Sequence, residues 1–142
     1  MNISVSFPGG VAVDALLAGH TIHTDQPAPL GADTAVSPYD LFFVSIATCM
    51  GFYALRFCQE RHITTEGLGL TLGTEKNETR KGVAKVTVDL QLPSGFPEKY
   101  VDAIRRAVDA CAVKRQIVEP PDFELALVRA KEQQLADIAA GS

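Results

Sequence analysis

The chain has 142 residues, of which 46% are hydrophobic, enough for one domain with a core of its own, and it carries a net charge of −4. Its 13 Lys and Arg against 17 Asp and Glu form no clustered basic face of the kind that grips a phosphate backbone, so no nucleic-acid partner is expected. Three cysteines without CxxC or HxxxH spacing make neither a disulfide scaffold nor a metal site, and any cysteine chemistry is expected to be reactive rather than architectural.

The charge is unevenly placed. Residues 1–55 contain Asp14, Asp25, Asp33 and Asp40 and no Lys or Arg; every basic side chain lies in residues 56–142. The N-terminus shows no basic, apolar, small-residue leader, so the expected compartment is the cytoplasm.

In chain order, "ISVSF" (residues 3–7) alternates and stops at Pro8-Gly9-Gly10, which predicts a strand and a turn. "VAVDALLAG" and "HTIHTD" are two further short strands, giving an N-terminal meander. Residues 26–36, "QPAPLGADTAV", are rich in Pro, Gly and small residues and are expected to be a loop.

The stretch from Ser37 to His62, "SPYDLFFVSIATCMGFYALRFCQERH", reads as one long helix. Ser37 suits the N-cap and Pro38 the first helical position, and Asp40 puts a negative charge on the helix's positive end. From Leu41 to Phe57 the only charged residue is Arg56, and apolar side chains go all round the cylinder, which predicts a helix buried on nearly every side. The 15 residues between Asp40 and Arg56 span roughly 22 Å at helical rise, short of the ~30 Å of a bilayer's hydrocarbon, so a core helix is expected and not a membrane span.

Leu68, Leu70 and Leu72 alternate with polar or small residues, as do Val86, Val88, Leu90 and Leu92, and the polar stretch from Glu75 to Gly82 lies between them. This predicts an antiparallel strand pair with one face toward a helix. Pro97 and Glu98 open a second helix with Tyr100, Val101, Ile104, Val108 and Cys111 at helical spacing, Cys111 lying on its buried face or at its end. "EPPD" breaks the chain, Phe123, Leu125 and Leu127 form a last alternating strand, and residues 129–142 are a weakly helical or frayed polar tail. The order of runs is α+β in a single domain over residues 1–128, not a repeating βαβ.

A free cysteine is usually a small hydrophobe in a core, and that reading stands for Cys58. Cys58 follows Cys49 by nine residues, about 180° round the helix and roughly 13 Å along it, too far for a bridge.

"SPYDLFFVSIATC" resembles the start of the central helix in the OsmC/Ohr proteins, where a Pro-acid-x-Leu entry leads to a reactive cysteine. "DACAVKRQI" resembles that family's second cysteine motif, and "HTIHTDQPAPLGADTAVSPYDL" resembles the loop leading to the helix in its OsmC-like branch. The resemblance covers nearly the whole chain in element order, and the paired cysteine motifs are its specific part. It implies an intertwined homodimer, with antiparallel sheets wrapped around two long central helices. It also implies a thiol peroxidase that reduces organic hydroperoxides without metal or other cofactor. Cys49 would become a sulfenic acid, Cys111 would resolve it as a disulfide, and an external dithiol would reduce that.

The family activates its thiol with an Arg from the N-terminal region held by a Glu at the start of the central helix. Here the Glu position falls on Tyr39, with Asp40 beside it, and residues 1–55 offer no Arg. Arg56, Arg105, Arg106 and Arg115 are the alternative cations, Arg115 foremost because it follows Cys111 by four residues; Asp40 is read as a capping residue first and as a holder of such an Arg second. His20 and His23 are candidate cations or bases. The other reading is a catalytically weak OsmC-like dimer that binds a small apolar ligand at the subunit interface.

Overall fold

A computed structural model describes residues 1–129 of the chain. Three strands, β1 (Ser4–Gly9), β2 (Ala12–Leu17) and β3 (His20–Thr24), form an antiparallel meander in sequence order. The Gly9-Gly10 turn and the Ala18-Gly19 turn both take positive φ, which is why glycine falls there. Cross-strand partners Ser6, Asp14 and His23 share one face; Val5, Ala15 and Ile22 share the other. The apolar face is uncovered: Val5, Phe7 and Ile22 are exposed, and the meander makes little contact with the rest of its own chain.

The loop of residues 25–36 is held together by one carboxylate. Asp25 accepts hydrogen bonds from the N–H groups of Gln26 (2.7 Å), Ala32 (3.2 Å) and Thr34 (3.1 Å) and from the Thr34 hydroxyl (2.8 Å). The Thr34 N–H and hydroxyl, with the Gln26 N–H, hold the Asp25 carboxyl below its ordinary value. Gly31 closes against this knot, where a Cβ would meet the Gln26 carbonyl and come within 2.6 Å of an Asp25 oxygen.

Helix α1 (Pro38–Glu60) starts where Ser37 predicts. The Ser37 hydroxyl accepts from the Asp40 N–H (3.1 Å) and donates to the Asp40 carboxylate (2.7 Å), so Asp40 is part of the cap. The far end closes with His62 at positive φ, its N–H bonded to the Gln59 carbonyl and that of Ile63 to the Cys58 carbonyl, a Schellman-type stop without glycine.

The expected all-round burial of α1 is met on one side only within a single chain. Ile46, Met50, Ala54, Phe57 and Cys58 are buried, whereas Val44, Phe52 and Leu55 on the other side of the helix, and Phe42 near its start, are exposed. Helix α1 has 23 residues, and an 18-residue window within it, of mean hydropathy 1.7, meets the length and composition of a membrane span, with 28% of that window buried in the chain.

Strands β4 (Gly69–Lys76) and β5 (Val83–Gln91) form the expected antiparallel hairpin, with Leu70 opposite Leu90 and Leu72 opposite Val88. These four leucines and valines pack on the α1 core. A 3-10 turn over Glu98–Tyr100 leads into α2 (Val101–Asp109), whose Ile104 and Val108 complete that core. The expected second helix therefore ends before Cys111, and the sequence reading passed over a third, α3 (Ala112–Val118). No strand forms over residues 123–127: Phe123, Leu125 and Leu127 lie in an irregular segment and are at least 90% exposed. A strand needs a partner, and this segment is paired with none of the open edges of the two sheets. Of the expected polar tail, residues 130–142 fall outside the described residues. The architecture is α+β, with two antiparallel sheets and a long central helix.

Candidate active site

Cys49 lies halfway along α1, on the flank between the buried core face and the exposed apolar face. Cys111 lies in the short break between α2 and α3, 1% exposed, where it is the N-cap of α3. Its sulfur takes the place a serine hydroxyl usually fills and accepts from the Lys114 N–H at 3.5 Å. α1 packs against both α2 and α3, and this brings the two thiols close enough for each to shift the other.

Their environments push the two thiols in opposite directions. Burial raises Cys49, but the Val113 N–H, the Cys111 side chain and the Ala112 N–H together outweigh it, so the thiol is held below its ordinary value. Burial raises Cys111 most, the Lys114 N–H draws it back, and the Cys49 side chain raises it further, leaving it above its ordinary value. Of the two, Cys49 is therefore the thiol whose environment favours ionisation and Cys111 the one whose environment favours the protonated form. Cys58 is fully buried and raised by burial against a smaller opposing pull from Arg61, so it is the least reactive of the three thiols by environment.

The other sequence candidates fall elsewhere. Asp40 is engaged with Ser37 at the helix cap. Arg115 is exposed, and its Nη2 donates to the Ala110 carbonyl at 3.4 Å. Arg105 pairs with Asp102 at 3.3 Å and Arg56 with Glu60 at 2.7 Å. His23 Nδ1 lies 2.9 Å from Asp14 on the polar face of the meander, and His20 sits at the exposed start of β3. Sequence reasoning missed the Ala112 and Val113 backbone donors. The available signal was Cys111 itself as a helix cap, a place where Ser, Thr, Asp or Asn is the usual marker. Among the described residues no group of three or more His, Cys, Asp or Glu is placed to hold a metal ion.

An apolar groove of about 700 Å³ runs beside the core, walled by Ile46 and Met50 of α1, Val88 and Leu90 of β5, and Ile104 and Ile117 from α2 and α3.

The sequence pattern of OsmC-like protein matches residues 31–126. Among curated proteins none matches the chain. Solved structures of the same shape include a Psychrobacter arcticus 273-4 protein described for osmotic stress induction and a detoxification response. It is 21% identical with a TM-score of 0.69, over 82% of this chain and 87% of that one. An OsmC-like protein from Mycoplasma pneumoniae is 12% identical with a TM-score of 0.65, over 84% and 87%. An organic hydroperoxide resistance protein, OsmC, from Legionella pneumophila is 17% identical with a TM-score of 0.54, over 82% and 87%. At these identities the likeness carries the fold alone.

Proposed function

The chain belongs to the OsmC-like protein family, and on that premise we propose that it is a cofactor-free thiol peroxidase acting on organic hydroperoxides as a homodimer. The observation that carries the reading is the opposed environment of two adjacent thiols: neighbouring hydrogen-bond donors hold Cys49 below its ordinary value, while burial holds Cys111 above it. The Cys49 thiolate attacks one peroxide oxygen, the O–O bond breaks, and the alkoxide leaves as an alcohol after taking a proton. Cys49 is now a sulfenic acid. Cys111 gives up its proton and attacks the Cys49 sulfur, water leaves, and a disulfide forms. An external dithiol returns both thiols to the reduced state by exchange.

The family's Arg has no counterpart in residues 1–55, and the Ala112 and Val113 N–H groups supply the compensation from within the chain. Fixed backbone dipoles need no side-chain ordering to act on the thiolate. Dimerisation is supported by unmet burial at three places: the apolar face of the meander, the exposed side of α1, and the segment of Phe123, Leu125 and Leu127. On α1 the stripe is exposed at Val44, Thr48, Phe52 and Leu55 and half-buried at Leu41 and Ser45, and its two hydroxyls are bonded to the helix's own carbonyls. A dry seam between two copies of α1 follows, as in other helix pairs with apolar stripes.

Hydroperoxide turnover in the presence of a dithiol tests the reading. Cys49→Ser is expected to abolish it, and a rate unchanged in that variant sinks the assignment. The second reading, a dimer that binds a small apolar ligand without turnover, is favoured by the apolar groove along β5. A Cys49 thiol that titrates at or above about 8.5, the ordinary value, selects it.

A further inference from the structure

A second trough lies on the other flank of the α1–α2 packing, about 540 Å³ in volume. Its floor is made by small residues, Ala103 and Ala107 of α2, and one wall by Tyr53 and Phe57 of α1. Three arginines line it, Arg56, Arg61 and Arg106, against one acid, Glu60. Glu60 is taken by Arg56 at 2.7 Å. The Arg61 guanidinium is held 3.8 Å over the Phe57 ring, with Nη1 donating to the Phe57 carbonyl at 3.3 Å. Arg106 has no ion pair among the described residues. Two positive charges are thus left for an anion.

The trough runs toward the thiols. Cys49, Tyr53, Arg56 and Glu60 follow one another on one flank of α1, and Ala103 and Ala107 run back along α2 toward Cys111, just past that helix's end. Cys49 precedes Arg56 by two turns, or roughly 10 Å. An apolar lane of that length, with a thiolate at one end and guanidinium groups at the other, fits a molecule built the same way.

We propose that this trough binds the carboxylate of an amphipathic reactant whose other end reaches Cys49. Planar guanidinium groups match a carboxylate's two oxygens, and the aromatic wall covers its stem. The same chemistry is carried by a carboxylated hydroperoxide and by a small carboxylated thiol reductant. Only the word "reactant" rests on the peroxidase reading; the binding does not.

Calorimetric titration with octanoate and with the neutral octanamide tests it. Octanoate is expected to bind wild-type protein at least about tenfold more tightly than octanamide, as one charge-assisted contact of about 1.4 kcal/mol requires. That preference is expected to disappear in Arg61→Gln/Arg106→Gln and to persist in Cys49→Ser. Arg106→Gln alone, at an exposed and unpaired position, reports the same loss in part even where the double variant fails to fold. Bound octanoate is also expected to slow alkylation of Cys49 by iodoacetamide. Equal affinity for the two probes, a preference that survives the arginine substitutions, or alkylation unaffected by octanoate overturns the proposal.

Single-turnover rates then distinguish the source. Faster oxidation of Cys49 by a carboxylated hydroperoxide than by its amide assigns the trough to the hydroperoxide. Charge preference confined to disulfide reduction assigns it to the reductant, and none in either step overturns a role in the reaction. If octanoate binds as expected while no hydroperoxide oxidises Cys49, the anion site stands and the peroxidase reading falls.

Discussion

Two cysteines 62 residues apart in sequence become neighbours where a sulfur caps a helix. Cys111 occupies the N-cap of α3, so the N–H groups of the following residues point toward its neighbour Cys49. A lowered thiol stays ionised as pH falls, so alkylation of Cys49 by iodoacetamide is expected to titrate with a midpoint below the ordinary value of about 8.5, and that of Cys58 above it. Cys111→Ala removes a donor from Cys49 and is expected to move the Cys49 midpoint upward; peptide mapping of the alkylated protein across pH checks both. Asp25 offers a second test at this scale. Its carboxyl is lowered on folding, so its contribution is complete above the unfolded value of about 3.9 and is lost as pH falls through the lower folded value. Exchange of the Thr34 and Ala32 amides is expected to accelerate over that lower window. Gly31→Ala crowds the same carboxylate and is expected to cost about 1–3 kcal/mol, read from a denaturant midpoint.

Among the elements, α1 was the most legible. Its cap, its proline and its uncharged run are marks of local chemistry, and they appear where the sequence puts them. Ser37→Ala is expected to cost about 1 kcal/mol. His62→Gly is expected to stabilise by about 1 kcal/mol, since a β-carbon is strained at that positive φ. Equilibrium denaturation of the two variants should move in opposite directions. The meander and the β4–β5 hairpin were legible too, from alternation and from glycine at the turns. Two elements were not. α3 is seven residues long and capped by cysteine, so neither length nor the usual cap residues marked it. The strand read over Phe123 to Leu127 has the right alternation but pairs with neither sheet of its own chain, and pattern alone does not report what a segment pairs with. The adjacency of Cys49 and Cys111 was hidden for the same reason: periodicity fixes a face, and packing decides which faces meet.

The whole molecule leaves apolar surface that one chain does not cover. Exposed Phe42, Val44, Phe52 and Leu55 on α1 and Val5, Phe7 and Ile22 on the meander belong to separate parts of the fold, and the proposed homodimer is expected to bury both. Replacing Thr48 by Arg in the α1 stripe places a charge in that seam and is expected to shift the protein from dimer to monomer or aggregate in sedimentation velocity. A wild-type protein that sediments as a monomer at micromolar concentration removes the dimer from the account. The apolar groove along β5 and the arginine-lined trough lie on different sides of α1, so a neutral ligand and an anionic one have separate places to go.

The most direct test of the redox pair is intact-mass spectrometry with peptide mapping after the reduced protein meets one equivalent of an organic hydroperoxide. The account predicts rapid loss of two hydrogens, a Cys49 to Cys111 disulfide, Cys58 still reduced, and in Cys111→Ser a sulfenic acid retained on Cys49. If Cys49 and Cys111 both stay reduced while the hydroperoxide persists, the peroxidase account is wrong.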